Sequence, residues 1–314
     1  NELGRERPIK ASGQLAAYIP IGHDGLSLNA DIVRSVTYPK GQSTSLRLKG
    51  RLNGWSAGLS FPFVLTRNNV LNIHSRFEYI DEVLQTDLTG SRVTLTHDSL
   101  RLLRFGSSWE HNASYFQNSH FLLSIQLTQG LDALGARDKP DNGTALSRTE
   151  GKVNFTKLDI YYSHYFSLPI NKLTASIAAK AQISFDPLLV SQQFSLGGPN
   201  FGSGQVTGAV IGDYGFALRG EFHHSNPFEI KEHFFNTQFY LFSDFGRAYL
   251  KKPTAAEQKF TSVADLGLGI RFNLFDKQDS HRLYTANFEY AKQFDGPTTE
   301  DHGHKLSFTL SVSF

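Results

Sequence analysis

The sequence predicts an all-β protein, a transmembrane antiparallel β-barrel, from three observations. Apolar and polar residues alternate with period two from end to end, while helical periodicity is scarce. The alternating runs are about 10 residues long, which is what a tilted membrane strand needs, whereas strands of soluble proteins usually run to about 5–6. The connections between runs alternate between short and long. A soluble sandwich also alternates, but its polar face meets solvent and its apolar face the core. In a barrel the apolar face meets lipid and the polar face lines the lumen, and short turns at one end oppose long external loops at the other.

The runs follow in order from Gln14–Ile21 and Leu26–Ile32. Trp55, Ala57, Leu59, Phe61 and Phe63 come next, then Leu71, Ile73, Phe77 and Tyr79, Leu103–Trp109, Phe121–Leu127 and Leu158–Tyr162. The later runs are cleaner: Leu173–Phe185, Ala217–Phe222, Phe235–Leu241, Leu266–Leu274 and Tyr284–Tyr290. Lys305–Phe314 closes the chain on an aromatic residue. The count is about 13 strands. Residues 20–25, 66–69 and 168–172 read as short turns, and residues 130–152, 190–213, 249–262 and 294–303 as long polar loops. Bacterial barrels have even strand numbers, and the 314 residues contain no Met. An odd count without Met leads us to expect further strands ahead of Asn1.

Composition agrees with this class. A mean hydropathy of -0.30 does not exclude a membrane barrel, in which only alternate residues face lipid. Aromatic residues make up 13% of the chain, with 26 Phe and 12 Tyr, as interfacial girdles require. A net charge of +2 gives no reason to expect nucleic acid. The absence of Cys excludes a disulfide framework and a thiolate metal site.

One stretch departs from the alternation. Phe194–Phe222 begins as a glycine-rich segment without periodicity and ends as a strand. A phosphate cradle at Gly197–Gly204 would need a helix after the glycines, and a strand follows. His223-His224 and His302-x-His304 lack a third ligand at recognisable spacing, and no Gly-x-Ser-x-Gly elbow or triad order is present. No cofactor, metal or catalytic residue is therefore expected. Period two puts Arg219 and Glu221 on the lumen face, with Asp244 and Arg271 facing inward from nearby strands. They would either hold a plug or form an ordinary polar barrel interior.

Four passages together resemble a known family. They are Tyr18-Ile-Pro-Ile-Gly22 followed by Asp24-Gly25; Leu59-Ser-Phe-Pro-Phe63 followed by Thr66-Arg67; Gln193-Phe-Ser-Leu-Gly-Gly198 with a loop that closes at Gly212-Asp213-Tyr214-Gly215; and Phe242-Ser-Asp-Phe-Gly246. Their order resembles the outer-membrane transporters of two-partner secretion, the TpsB group that includes the ShlB/FhaC/HecB haemolysin secretion and activation proteins, within the Omp85 superfamily. The resemblance implies a bacterial outer-membrane barrel of about 16 strands, with this chain its C-terminal part and periplasmic POTRA domains ahead of it. It implies an unfolded exoprotein client, the barrel assembly machinery and outer-membrane lipids as partners, and no enzymatic reaction.

The resemblance further implies that residues 190–213 fold back into the lumen, carried by Gly197, Gly198, Phe201, Gly202, Ser203, Gly204, Gln205, Gly212, Asp213 and Gly215. It marks Phe242, Asp244 and Gly246 as a motif of the barrel wall. In the family the loop tip carries an Arg that pairs with the Asp of that motif. Ser203 stands there instead, followed by Gly204 and by Gln205 where an aromatic belongs. Asp244 then needs another base such as Arg219 or Arg271, a wet lumen, or a loop docked differently. The terminal strand, with Phe308, Leu310, Val312 and Phe314 on one face, looks like an outer-membrane sorting signal. Two alternatives stand beside the transporter: a passive porin-like or structural barrel, and an insertase of other barrels.

Overall fold

In a computed structural model of the chain, the residues described are 10–38, 47–87, 91–113, 119–141, 143–230, 233–255, 257–276, 283–297 and 303–313. Thirteen antiparallel strands form one sheet. They are β1 (Lys10–Ile21), β2 (Leu26–Thr37), β3 (Lys49–Leu65), β4 (Asn69–Thr86), β5 (Val93–Ala113), β6 (Ser119–Gly130), β7 (Thr156–Ser167) and β8 (Leu173–Ser184). After two short strands, β9 (Phe194–Leu196) and β10 (Val210–Gly212), come β11 (Tyr214–Ile230), β12 (His233–Tyr249), β13 (Phe260–Asp276), β14 (Leu283–Asp295) and β15 (His304–Ser313). Spatial order follows chain order, except that β9 and β10, which lie between β8 and β11 in the chain, form among the described residues a separate two-stranded sheet, so that β8 pairs directly with β11. β1 and β15 stand at the two ends of the sheet, and among the described residues they do not pair.

The period-two pattern gives the wall two faces. Ile32 is 62% exposed and Leu306 82%, and Phe63, Phe105, Phe222 and Leu268 are likewise uncovered on the same outer face. The opposite face carries polar pairs: Ser56 Oγ donates to Asp31 Oδ1 at 2.5 Å, and Arg104 Nε to Glu78 Oε2 at 2.9 Å. An outward apolar belt over a polar inner face is the arrangement that lipid demands, because a polar side chain turned to hydrocarbon loses its hydration without gaining a partner, while strand pairing satisfies the backbone.

Several strands are longer than the runs in the sequence suggest. β3, β4 and β5 have 17, 18 and 21 residues. Trp55 stacks on Tyr79 at 5.9 Å and marks one interface. From these rings to the short-turn ends at Leu65 and Asn69 the strands run about 11 residues, a membrane span. The remainder stands beyond the belt at the long-loop end, where polar residues break the alternation. At the short-turn end Trp109 packs edge-on against Phe121 at 4.9 Å, and Phe228 stacks on Phe235 at 5.2 Å. Rings at both edges of the belt form the two girdles expected of such a wall.

Inside the wall, large rings are matched to glycines on the next strand. Phe242 lies opposite Gly267, and Tyr240 opposite Gly269. A Cβ on Gly267 would collide with Phe242 Cζ, and one on Gly269 would lie 2.6 Å from Tyr240 Cε1. The bare strand lets each ring lie flat across it and replaces side-chain packing that glycine cannot supply. Gly267→Ala should therefore force Phe242 from its rotamer at a cost of about 1–3 kcal/mol. Gly13→Ala, with no atom within 4 Å of the added carbon, should stay within about 0.5 kcal/mol of the parent protein. Urea midpoints of barrels refolded into lipid would check both values.

Candidate functional site on the inner wall

Within the segment 185–213, the part from Phe194 to Gly212 lies against the inner faces of β11, β12 and β13. Its two limbs are joined by the β9–β10 pair, with Phe194 opposite Gly212 and Leu196 opposite Val210. The glycine-rich stretch is thus partly strand, which its sequence did not show. Phe194, Leu196, Phe201 and Val210 bury themselves against Ala217, Ala248 and Val263 of the wall. Two wall glycines make room for them. A Cβ at Gly215 would lie 2.7 Å from the Phe194 ring, and one at Gly246 would lie 3.0 Å from Leu196 Cδ1. Lys180 of β8 steadies the same limb by donating to the Ser195 carbonyl at 2.6 Å.

At the tip the contacts become polar. Gly202 takes φ of 90°, a left-handed conformation natural to glycine, and this turns successive N–H groups toward the wall. The N–H groups of Gly202 and Ser203 donate to Asp244 Oδ2 at 3.2 and 2.8 Å, and that of Gly204 to Asp265 Oδ2 at 3.1 Å. Gly204 must be glycine for this approach, since a Cβ there would stand 2.5 Å from Asp265 Oδ1. Gln205 is buried, and its carbonyl accepts from Lys305 Nζ at 2.5 Å.

Asp244 is 1% exposed, and the cation that meets it is Arg219 of the adjacent strand, directly opposite in register. Arg219 Nη1 lies 3.1 Å from both Asp244 oxygens and donates to Ser203 Oγ at 2.5 Å. Its Nη2 donates to Glu289 Oε2 at 3.0 Å, and its Nε to Glu221. The guanidinium lies over the Phe242 ring, 4.0 Å from its centre. Each residue of Phe242-x-Asp-x-Gly246 that faces inward therefore has a contact: Phe242 beneath Arg219, Asp244 on the tip, and Gly246 under Leu196.

The remaining charges fall elsewhere. Arg271 does not reach Asp244; register puts it opposite Gln238, to which it donates at 2.9 Å, and its guanidinium lies over Tyr240 at 5.0 Å. His223 and His224 are consecutive residues of β11, so they face opposite ways, and the buried His223 meets Glu221 at 3.2 Å. Asp213 and Gly212 lie at the base of the segment, away from the tip, with Asp213 N–H donating to Tyr249 O at 2.7 Å. Phe308, Leu310 and Val312 line the outer face of β15, while Phe314 and His302 lie outside the described residues. Asp265, Glu289 and Lys180 escaped the sequence reading. All three occupy polar positions of alternating runs, but only register across strands brings Asp265 to the tip, Glu289 to Arg219 and Lys180 to the limb at Ser195.

The geometry can be set beside known proteins. A family model described as haemolysin secretion/activation protein ShlB/FhaC/HecB matches residues 5–272. The chain belongs to this family. No curated protein sequence matches it. The ShlB/FhaC/HecB fold is shared with solved structures of low identity. CdiB from Escherichia coli superposes with a TM-score of 0.72 at 18% identity, covering 97% of this chain and 53% of that one. CdiB from Acinetobacter baumannii gives 0.63 at 14%, with 97% and 50% covered. BamA from Haemophilus ducreyi lacking POTRA domains 1–3 gives 0.61 at 15%, with 97% and 62% covered. The chain thus spans roughly half to three-fifths of the length of these relatives. It is a bacterial outer-membrane β-barrel protein.

Within this family member the charge balance at the tip is testable. Arg219→Leu strands three carboxylates, and loss of one partner of a buried ion pair costs about 3–5 kcal/mol. Ser203→Arg in the Arg219→Leu background returns a guanidinium to Asp244 from the loop side and should recover part of the loss. Ser203→Arg alone should destabilise, because it sets a second guanidinium beside Arg219. Urea unfolding of the three variants in lipid gives the comparison.

Proposed function

We propose that this barrel is the outer-membrane pore of a two-partner secretion system, passing an unfolded exoprotein of the haemolysin or adhesin type outward. The family match across residues 5–272 carries the reading. It covers the strands that hold Ser203 on Asp244 and stops within β13. On this reading 1–314 is the barrel of a longer protein and 190–213 is a plug that yields to the client. The wall charges Arg219, Glu221 and Arg271 then line the route. Passage needs no reaction at a catalytic group, because folding of the client outside the cell draws it through. Phe308, Leu310 and Val312, with Phe314, serve as the strand that the barrel assembly machinery recognises during insertion.

Deleting the protein and measuring the exoprotein in the medium tests this directly. Loss of the exoprotein is expected, and undiminished release would overturn the transporter reading in favour of a passive barrel. Asp244→Asn removes the charge under the tip and should raise both single-channel current noise and external protease nicking near Ser203. Recordings indistinguishable from the parent protein would mean that Asp244 does not hold the loop.

A further inference from the structure

We infer that Asp213 and Arg148 form a positioning pair that ties three external connections into one body and fixes the base of the plug segment independently of its tip. Asp213 is fully buried, and its carboxylate meets donors from three different segments. Oδ1 accepts from Arg148 Nη1 at 2.6 Å and from the Leu188 N–H at 2.7 Å, and Oδ2 accepts from the Lys251 N–H at 2.6 Å. Arg148 touches the same two partners through their carbonyls: Nη2 donates to Lys251 O at 2.5 Å and Nη1 to Leu188 O at 3.4 Å. Leu188 lies in the first limb of 185–213, Arg148 in the connection from β6 to β7, and Lys251 in the connection from β12 to β13.

The pair is anchored to the wall as well as to the loops. Asp213 immediately precedes β11; its own N–H donates to Tyr249 O, and its carbonyl accepts from Gln182 Nε2 at 2.9 Å. Beneath it an apolar cluster joins Leu146, Val153 and Phe155 of the first connection to Leu188 and Leu189 of the second and to Leu100 and Leu102 of β5. The nearby Lys252–Glu150 pair, at 3.5 Å and largely exposed, contributes little beside it. Neither Leu188 nor Lys251 can leave without stripping a backbone donor from a buried carboxylate, so the three connections are coupled through one side chain. The tip contacts at Asp244 share no residue with this arrangement.

The inference rests on the transporter reading only for the claim that these loops guard the exit. The coupling itself is measurable without a client. In the full-length protein in outer membranes, Asp213→Asn and Arg148→Ala should each raise external proteinase K cleavage within both 131–155 and 250–259 by about tenfold, the weight of one hydrogen bond to a charged group. Arg148→Lys should fall between, since one ammonium cannot serve both Asp213 and the Lys251 carbonyl. Asp244→Asn should leave both loops at the parent rate. Unchanged cleavage in folded, heat-modifiable barrels, or release of one loop alone, would overturn the inference. Should the variants fail to fold, spin labels at Thr149→Cys and Ala255→Cys in an otherwise unaltered chain decide. A single distance that broadens in urea together with cleavage of both loops supports the coupling, and separate transitions refute it. If the loops loosen together while exoprotein release stays at the parent level, the pair stands and the claim that these loops guard the exit fails; the transporter reading itself falls only if deleting the protein leaves release undiminished.

Discussion

The inner wall depends on Arg219. A carboxylate as buried as Asp244 is tolerable only with a cation and hydrogen bonds around it, and the sheet register supplies the first while the docked loop supplies the second. The guanidinium comes from the neighbouring strand, and the N–H groups come from the loop. Arg219 also meets Glu221 and Glu289, so one planar cation with its donors in a fixed fork serves three carboxylates on three strands. Lysine, a point charge on a flexible stem, could not hold that geometry. The Phe242 ring beneath the guanidinium adds attraction in a place where water is scarce.

The loop fits because the wall is bare where the loop is bulky. Gly215 and Gly246 face Phe194 and Leu196, while Gly204 of the tip faces Asp265. The same exchange operates within the wall, where Gly267 and Gly269 accept Phe242 and Tyr240. Glycine in a strand interior normally weakens it. Here each missing side chain is replaced by one from a neighbouring segment, which converts a local weakness into a position that only one partner can occupy.

Much of this was legible from the residues. Alternation gave the strands and their number, because lipid on one side and a polar lumen on the other impose period two with little exception. The inward placement of Ala217, Arg219 and Glu221 follows from the same parity. Strand lengths were underestimated where β3, β4 and β5 continue past the belt, since outside the membrane nothing enforces alternation. Partners across strands were not legible. Arg219 and Arg271 were equal candidates for Asp244, and a register difference of a few residues decides between them. Asp265 and Glu289 were indistinguishable from other lumen-facing acids for the same reason. The short β9 and β10 strands are too brief to show a period, and the coupling at Asp213 joins residues up to 103 positions apart in the chain.

Placing the cation on the wall rather than on the loop changes what it takes to release the tip. A tip Arg would leave a cluster of buried carboxylates without a counter-charge each time the loop moved, and ion separation in a low-dielectric interior is expensive. Ser203 brings only a hydroxyl and an N–H, so its departure leaves Arg219 still bonded to Asp244, Glu221 and Glu289. What is lost is three N–H contacts to carboxylates, the bonds that Arg219 and Lys305 make to Ser203 Oγ and the Gln205 carbonyl, and the apolar contacts of Phe194, Leu196 and Phe201. Water entering the lumen can take over the polar contacts but not the apolar ones. The retention of the segment therefore resides more in its apolar limb, and in the Asp213–Arg148 base beyond it, than in the polar contacts at its tip.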